Sequence, residues 1–166
     1  MEQLTLWGEA EEIEQPLSYD EKIQQAKDAL RLAADISMKY YNAPLIVTYS
    51  GGKDSDVMLS IAMSCLEPNE MEVLNSHTTV DAPETVKHIE KVFNLLDEVG
   101  IKASYMNRYP VKKTMWGLIV EKQTPPTRLM RYCCAELKEA STPNRLCAVG
   151  VREDESVKRR GRGIFR

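Results

Sequence analysis

Leu45-Ile46-Val47-Thr48-Tyr49, followed at once by Ser50-Gly51-Gly52-Lys53-Asp54-Ser55, is the stretch that decides the fold of this chain. The first five residues form a nearly continuous apolar run of strand formers, which suits a strand buried on both faces of a parallel sheet. From Asp56 to Leu66, residues Val57, Leu59, Ile61 and Met63 recur at helical spacing. The two glycines therefore stand between a strand and a helix. They let the backbone turn tightly and approach a ligand with no Cβ in the way. A helix start presents unpaired N–H groups and the positive end of its dipole. Ser50 and Ser55 add hydroxyl donors and Lys53 adds a positive charge, so the six residues make an anion site suited to phosphate or pyrophosphate. The loop is not a Walker A loop, because the G-x-x-x-x-G-K-[ST] spacing is absent. A Gly-Gly pair alone would read as a plain tight turn; the whole set between strand and helix favours phosphate.

Working outward, Ser18-Tyr19-Asp20-Glu21 reads as a capping box with Ser18 as N-cap. Behind it Ile23, Ala26, Leu30, Ala33, Ile36 and Tyr40 predict an amphipathic helix over 19–41, ended by Asn42-Ala43-Pro44. Downstream, residues 71–76 predict a second strand, ending before the polar turn His77-Thr78-Thr79. A helix is expected from Pro83 or Glu84 to Val99, with Val86, Ile89, Phe93 and Leu96 on one side and Gly100 at its C-cap. A third strand is expected at 102–106, then helices around 112–121 and 131–140 flanking the loop Gln123-Thr124-Pro125-Pro126-Thr127. Leu146 to Gly150 reads as a fourth buried strand. Alternating strands and helices mean βαβ units. The expectation is a Rossmann-like α/β fold, a parallel sheet flanked by helices in three layers. No internal repeat or low-complexity segment is found. The expected organisation is an acidic arm (1–18), one nucleotide-binding domain (19–160) and a basic tail (161–166).

With 166 residues, 43% of them hydrophobic and 28% charged, the chain can bury the core of one domain. A formal charge of -3 gives no general case for nucleic-acid binding. Acidic residues without Lys or Arg occupy 2–21, while Lys158, Arg159, Arg160, Arg162 and Arg166 crowd the other end. No stretch of about 18 apolar residues exists, so no membrane span is expected. The acidic N-terminus has no apolar centre and does not read as a secretory signal. Cys65, Cys133, Cys134 and Cys147 suggest no disulfide framework, and the expected compartment is the reducing cytoplasm.

Ser50 to Ser55 resembles the PP-loop of the adenine nucleotide α-hydrolase superfamily, which includes N-type ATP pyrophosphatases, ATP sulfurylase small subunits and phosphoadenosine phosphosulfate (PAPS) reductases. Three further segments favour the last branch. His77-Thr78-Thr79-Val80-Asp81-Ala82-Pro83-Glu84-Thr85 is similar to its D-T-G-x-x-x-P-E-T segment, with His77 and Thr79 in place of Asp and Gly. Pro83 and Glu84 also suit a plain helix start. Arg131-Tyr132-Cys133-Cys134-Ala135-Glu136-Leu137-Lys138 is similar to R-x-C-C/T-x-x-L-K. On a helix Lys138 stands one turn from Cys134, within reach to activate the thiol or bind a phosphate; two small buried thiols are the alternative. Gly150 to Arg159 resembles G-x-R-x-x-E-S-x-x-R. The resemblance implies that the fourth strand lies beside the first, which would put Gly150 and Arg152 next to the glycine loop. Arg152 and Arg159 suit bidentate contacts to phosphate or sulfate oxygens. Residues 115–131 look like the variant of DNA phosphorothioation sulfurtransferases and phage-borne relatives, where a Trp-containing helix leads through Pro-Pro-Thr to the cysteines.

The resemblance implies an adenine (sulfo)nucleotide on the loop, PAPS, APS or ATP, held by Ser50, Gly51, Gly52, Lys53, Asp54, Ser55, Gly150, Arg152 and Arg159. Lys53 and Arg152 would stabilise developing charge, and Cys133 or Cys134 would be the thiol nucleophile or sulfur carrier. With ATP, Mg²⁺ would be needed and Asp54 is its candidate ligand. The E-C-G-L-H motif of the family's reductases is absent, as is the later C-x-x-C of iron–sulfur relatives, so these residues alone do not supply such a cluster. Three readings stay open. One is an enzyme acting at the α-phosphate anhydride, by sulfonucleotide reduction or by ATP-dependent adenylylation and sulfur transfer. The others are a nucleotide-binding module whose thiol comes from a thioredoxin-like donor or partner subunit, and a scaffold without chemistry. A homo-oligomer is compatible with all three.

Overall fold

The computed structural model describes residues 17–107, 113–138, 142 and 144–151. Four strands, β1 (Leu45–Thr48), β2 (Met71–Ser76), β3 (Ala103–Met106) and β4 (Cys147–Ala148), form one sheet in the order β3-β2-β1-β4. Every neighbouring pair is parallel. The chain runs outward from β1 to β2 to β3 and then returns to the other side of β1. That reversal makes a topological switch point between β1 and β4, where open α/β sheets form a crevice at the strands' carboxyl ends. The segment leaving β1 there is the glycine loop.

The register explains the burial. Leu45 and Val47 pair with Met71 and Val73, and Val73 pairs with Ala103, so these residues share one face of the sheet. With Tyr49 they form the main core against α1 (Tyr19–Ile36), α2 (Lys53–Met63) and α3 (Pro83–Glu98), through Leu30, Ala33, Leu59, Ala62, Ile89, Phe93 and Leu96. The opposite face carries Ile46 and Leu74, both buried. Leu118 of α4 (Met115–Lys122) and Leu137 of α5 (Tyr132–Leu137) are buried outside the main cluster. The fold is α/β, a parallel sheet flanked by helices, as the alternation of the sequence predicts. No helix among the described residues is long and apolar enough to cross a membrane.

The elements differ from expectation mainly at their ends. The capping box forms as read: Glu21 N donates to Ser18 Oγ at 3.3 Å, and Ser18 N to Glu21 Oε2 at 2.7 Å. That backbone bond from Ser18 holds the Glu21 carboxyl below its ordinary pKa. The expected 19–41 helix is α-helical only to Ile36 and continues as a π-helical turn, Ser37–Tyr41, closed by Asn42 at φ 48°. Buried Ser37 donates its hydroxyl to Ala43 O there. Helix α2 begins at Lys53 rather than Asp56, because Gly52 already takes the N-cap position. Helix α4 covers 115–122 against an expected 112–121, and α5 covers 132–137 against 131–140. Residues 139–141 lie outside the described part, as do 1–16 of the expected arm and the whole basic tail.

At the amino end of the sheet, Glu72 is a charged residue buried in a central strand, which requires partners. Lys102 Nζ reaches it at 3.0 Å and Arg145 at 3.2 Å, while Arg145 also donates to Pro44 O at 2.7 Å. This clamp fixes the strand starts at the end away from the loop.

Candidate functional site

Gly51 adopts φ +74°, and a Cβ built on it would lie 2.8 Å from Ile89 Cγ1 and 3.2 Å from Thr85 Cγ2. Both backbone conformation and the close packing of α3 therefore demand glycine here. Gly52 caps α2, and its carbonyl accepts the first helical bond from Asp56 N at 3.0 Å. Ser55, buried, closes the loop on itself: its hydroxyl donates to Gly52 O at 2.7 Å and accepts from Gly52 N at 3.1 Å. Ser50 Oγ donates to Ser55 Oγ at 3.3 Å. The two hydroxyls read from sequence as ligand donors thus also brace the loop. Lys53 is exposed at the first residue of α2, and Asp54 follows it, half-buried. The first-turn amides of a helix have no intrahelical acceptors, so they point toward whatever the loop holds.

Gly150 lies against the start of α2. A Cβ there would stand 2.9 Å from Asp54 O and 3.4 Å from Met58 Cβ. Thr48 Oγ1 donates to Ala148 O at 3.0 Å, tying the ends of β1 and β4 together. Ser50 to Ser55 and Gly150 are thereby brought into one place, as the expected strand order implies. Arg152 and Arg159 lie outside the described residues.

Cys133 and Cys134 are half-buried on α5, and Arg131 donates to Cys134 Sγ at 3.5 Å. Lys138 N donates to Cys134 O at 3.0 Å, so these two residues are one helical turn apart as expected. Tyr132 OH donates to Thr124 O at 2.6 Å, and Lys113 Nζ bonds the Glu136 carboxylate, holding its pKa below the ordinary value. These contacts anchor α5 to the segment around α4. Cys147 sits in β4, half-buried, donating to Arg145 O.

Past β2, Asp81 accepts from Thr78 N at 3.1 Å and Thr78 Oγ1 at 2.8 Å, and its carboxylate is 3.9 Å from His77 Nδ1. Thr79 has φ +68°, the left-handed conformation for which the resembled segment supplies Gly; its Oγ1 accepts from Met115 N at 3.0 Å. Pro83 opens α3 and Glu84 is in its first turn, the helix-start role. Asn75, His77, Asp81, Val86, Ile89 and Tyr105 line a shallow cleft at the carboxyl ends of β2 and β3.

Sequence reading missed two features. Buried Asn75 donates to Tyr49 O at 2.8 Å and so fixes the base of the loop. A polar residue in an otherwise apolar strand is the signal that it needs such a partner. Tyr49, Asp56 and His88 meet beneath the loop, with Tyr49 OH 2.5 Å from Asp56 Oδ1 and 3.0 Å from His88 Nε2. Burial, then Asp56, raises the pKa of the Tyr49 hydroxyl above its ordinary value. No spacing rule connects residues 49 and 88.

Among the described residues no group of three or more His, Cys, Asp or Glu side chains could hold a metal ion. Mg²⁺ is ordinarily held by one or two carboxylates together with substrate phosphates. Asp54 at the start of α2 suits that mode, and among the described residues no all-protein cage is present.

A parallel sheet that reverses its strand order beside a braced glycine loop defines the class: an α/β fold of the PP-loop type. Residues 44–166 match the phosphoadenosine phosphosulfate reductase domain, and the chain belongs to that family. Among solved structures it is similar to the NH3-dependent NAD synthetase from Campylobacter jejuni subsp. jejuni NCTC 11168 in complex with the nitrate ion. The two share 14% identity at a TM-score of 0.50 over 80% of this chain. That match spans 58% of the synthetase chain, and it carries the fold alone. No curated protein shows significant sequence similarity to the chain.

Proposed function

We propose that the chain binds an adenine nucleotide on Ser50–Ser55 and acts at its α-phosphate anhydride, by sulfonucleotide reduction or a related sulfur transfer. The observation that carries this is the braced loop at the switch point, with glycines at 51 and 150 where the structure has no room for a Cβ. Family membership supports the nucleotide, and the sequence resemblance of residues 115–131 to the sulfurtransferase variant favours the sulfur chemistry. Loop amides and the α2 dipole would hold the phosphates. Lys53, with Arg152 and Arg159, would stabilise charge developing on the leaving phosphate. Cys133 or Cys134 would supply the thiolate. It attacks the sulfur of the phosphosulfate, the S–O bond to the α-phosphate breaks, and the nucleotide leaves with both electrons of that bond. A second thiol, from this chain or a thioredoxin-like donor, then releases sulfite and closes a disulfide.

The test is sulfite release from PAPS or APS with a dithiol, in the wild type, Lys53→Ala, Cys133→Ser and Cys134→Ser. Loss of product in Lys53→Ala and in one cysteine variant is the expected result. Nucleotide binding without sulfite in the wild type would assign the thiol to a partner chain. Asp54 favours a second reading, in which Mg·ATP binds and pyrophosphate leaves; Asp54 would then hold the metal, which neutralises phosphate charge when bound. Pyrophosphate release from ATP, lost in Asp54→Asn, distinguishes it.

A further inference from the structure

Beneath the loop, on the face of the sheet covered by α2 and α3, three polar side chains meet that the nucleotide reading does not use. Tyr49 OH lies 2.5 Å from Asp56 Oδ1 and 3.0 Å from His88 Nε2, and Nε2 lies 3.6 Å from the same carboxylate oxygen. A tyrosine hydroxyl has one proton to donate. At 2.5 Å that proton goes to the carboxylate. The contact with His88 is then a hydrogen bond only when Nε2 carries a hydrogen. A further proton on Nδ1 makes the ring cationic without disturbing this bond, and sets the charge beside Asp56.

The three residues come from the three elements that carry the loop. Tyr49 immediately precedes it, Asp56 is one residue past the loop-closing Ser55, and His88 precedes Ile89, the side chain on which Gly51 rests. Tyr49 is 2% exposed, whereas the Asp56 and His88 side chains are about half exposed and open to exchange with solvent. The groups facing the imidazole are Asp56 from α2 and Tyr49 just past the end of β1, with Glu84 and Lys91 one turn away on α3 itself. Uncompensated, the Asp56 carboxylate near the start of α2 opposes a bound polyanion.

We propose that His88 is a positioning residue that makes polyanion binding on the loop proton-linked: a protonated His88 neutralises Asp56 and holds the start of α2 in its binding geometry. The inference rests on the nucleotide reading. Imidazoles change charge between about pH 5 and 8, so binding is expected to tighten as pH falls through that window.

The experiment is calorimetric titration of 3′-phosphoadenosine 5′-phosphate and of ADP at about pH 5.5, 7 and 8, with wild type, His88→Gln and His88→Ala. Glutamine keeps an N–H donor but does not titrate. Ligand phosphates titrate equally in all three proteins, so the wild-type dependence is read relative to His88→Gln. The wild type should gain about fivefold more affinity than His88→Gln between the high and low pH values. His88→Gln should match the wild type at the highest pH, where His88→Ala should bind more weakly. Separately, Asp56→Asn, which removes the charge that a protonated His88 would neutralise, should lose the pH dependence of binding that distinguishes the wild type from His88→Gln. Binding with identical pH profiles in wild type and His88→Gln overturns this inference and leaves the nucleotide reading standing. Absence of binding at every pH overturns both. A pH dependence of binding unchanged in Asp56→Asn overturns the pairing on which the inference stands.

Discussion

Replacing Gly51 with Ala tests whether the loop geometry is as tightly determined as the packing indicates. Two costs combine. Alanine at φ +74° is strained by about 1–2 kcal/mol. Its Cβ would also sit 2.8 Å from Ile89 Cγ1 and 3.2 Å from Ile89 Cδ1, and Ile89 is 4% exposed in a packed core with little room to swing away. Overpacking of that kind costs about 1–3 kcal/mol. The expected destabilisation is about 2–5 kcal/mol, a fall of at least about 4 °C in Tm for a chain of this size. Gly52→Ala is the matched control: its φ is -97° and the nearest atom to a new Cβ is Ser50 Oγ at 3.6 Å. It should cost less than about 1 kcal/mol. Urea unfolding of both variants gives the comparison directly. In an Ile89→Ala background the clash with Ile89 disappears and only the 3.2 Å approach to Thr85 Cγ2 is left, so the Gly51→Ala penalty should fall toward about 1–2 kcal/mol. A Gly51→Ala variant no less stable than Gly52→Ala refutes the reasoning.

Three other perturbations have defined outcomes. Gly150→Ala meets backbone rather than a side chain, at 2.9 Å from Asp54 O, so α2 or β4 must shift; urea unfolding should show a loss of about 1–3 kcal/mol. Tyr49→Phe removes a charge-assisted bond to a half-exposed carboxylate and should cost about 1 kcal/mol at neutral pH. Because the folded hydroxyl pKa is raised, its contribution is full below the unfolded value of about 10 and fades as pH rises beyond it. The Tm gap between wild type and Tyr49→Phe should therefore narrow in that alkaline range. Thr79→Gly relieves left-handed strain of about 1–2 kcal/mol but deletes the acceptor for Met115 N, so global stability should change by under about 1 kcal/mol. Hydrogen exchange at the Met115 amide should nevertheless accelerate.

The parts of the fold that could be read from sequence are those set by local pattern. The apolar run before Ser50 gave β1, the capping box gave the start of α1, and Pro83 gave the start of α3. Gly100 stands just past the end of α3, as its type suggests. Element ends were harder: Gly52 caps α2 through its backbone, with no side chain to announce it, and the π-helical turn after Ile36 keeps apolar spacing that reads as α-helix. The glycine loop was legible because its chemistry is contiguous. The polar contacts beneath it were not, since Tyr49, Asp56, Asn75 and His88 meet only through sheet pairing and helix packing. Thr79 is a middle case: its replacement of glycine was visible, but its positive φ and its bond to Met115 required the structure.

The central claim is that Ser50–Ser55 holds the phosphates of an adenine nucleotide, and the most direct measurement is thermal stabilisation by PAPS, 3′-phosphoadenosine 5′-phosphate, AMP and ATP with Mg²⁺. A ligand at about a hundred times its dissociation constant adds about 2.7 kcal/mol. The account predicts that at least one of these nucleotides raises Tm and that Lys53→Ala, folded but unresponsive, loses the effect. A protein whose Tm is unmoved by every one of them at millimolar concentration contradicts it.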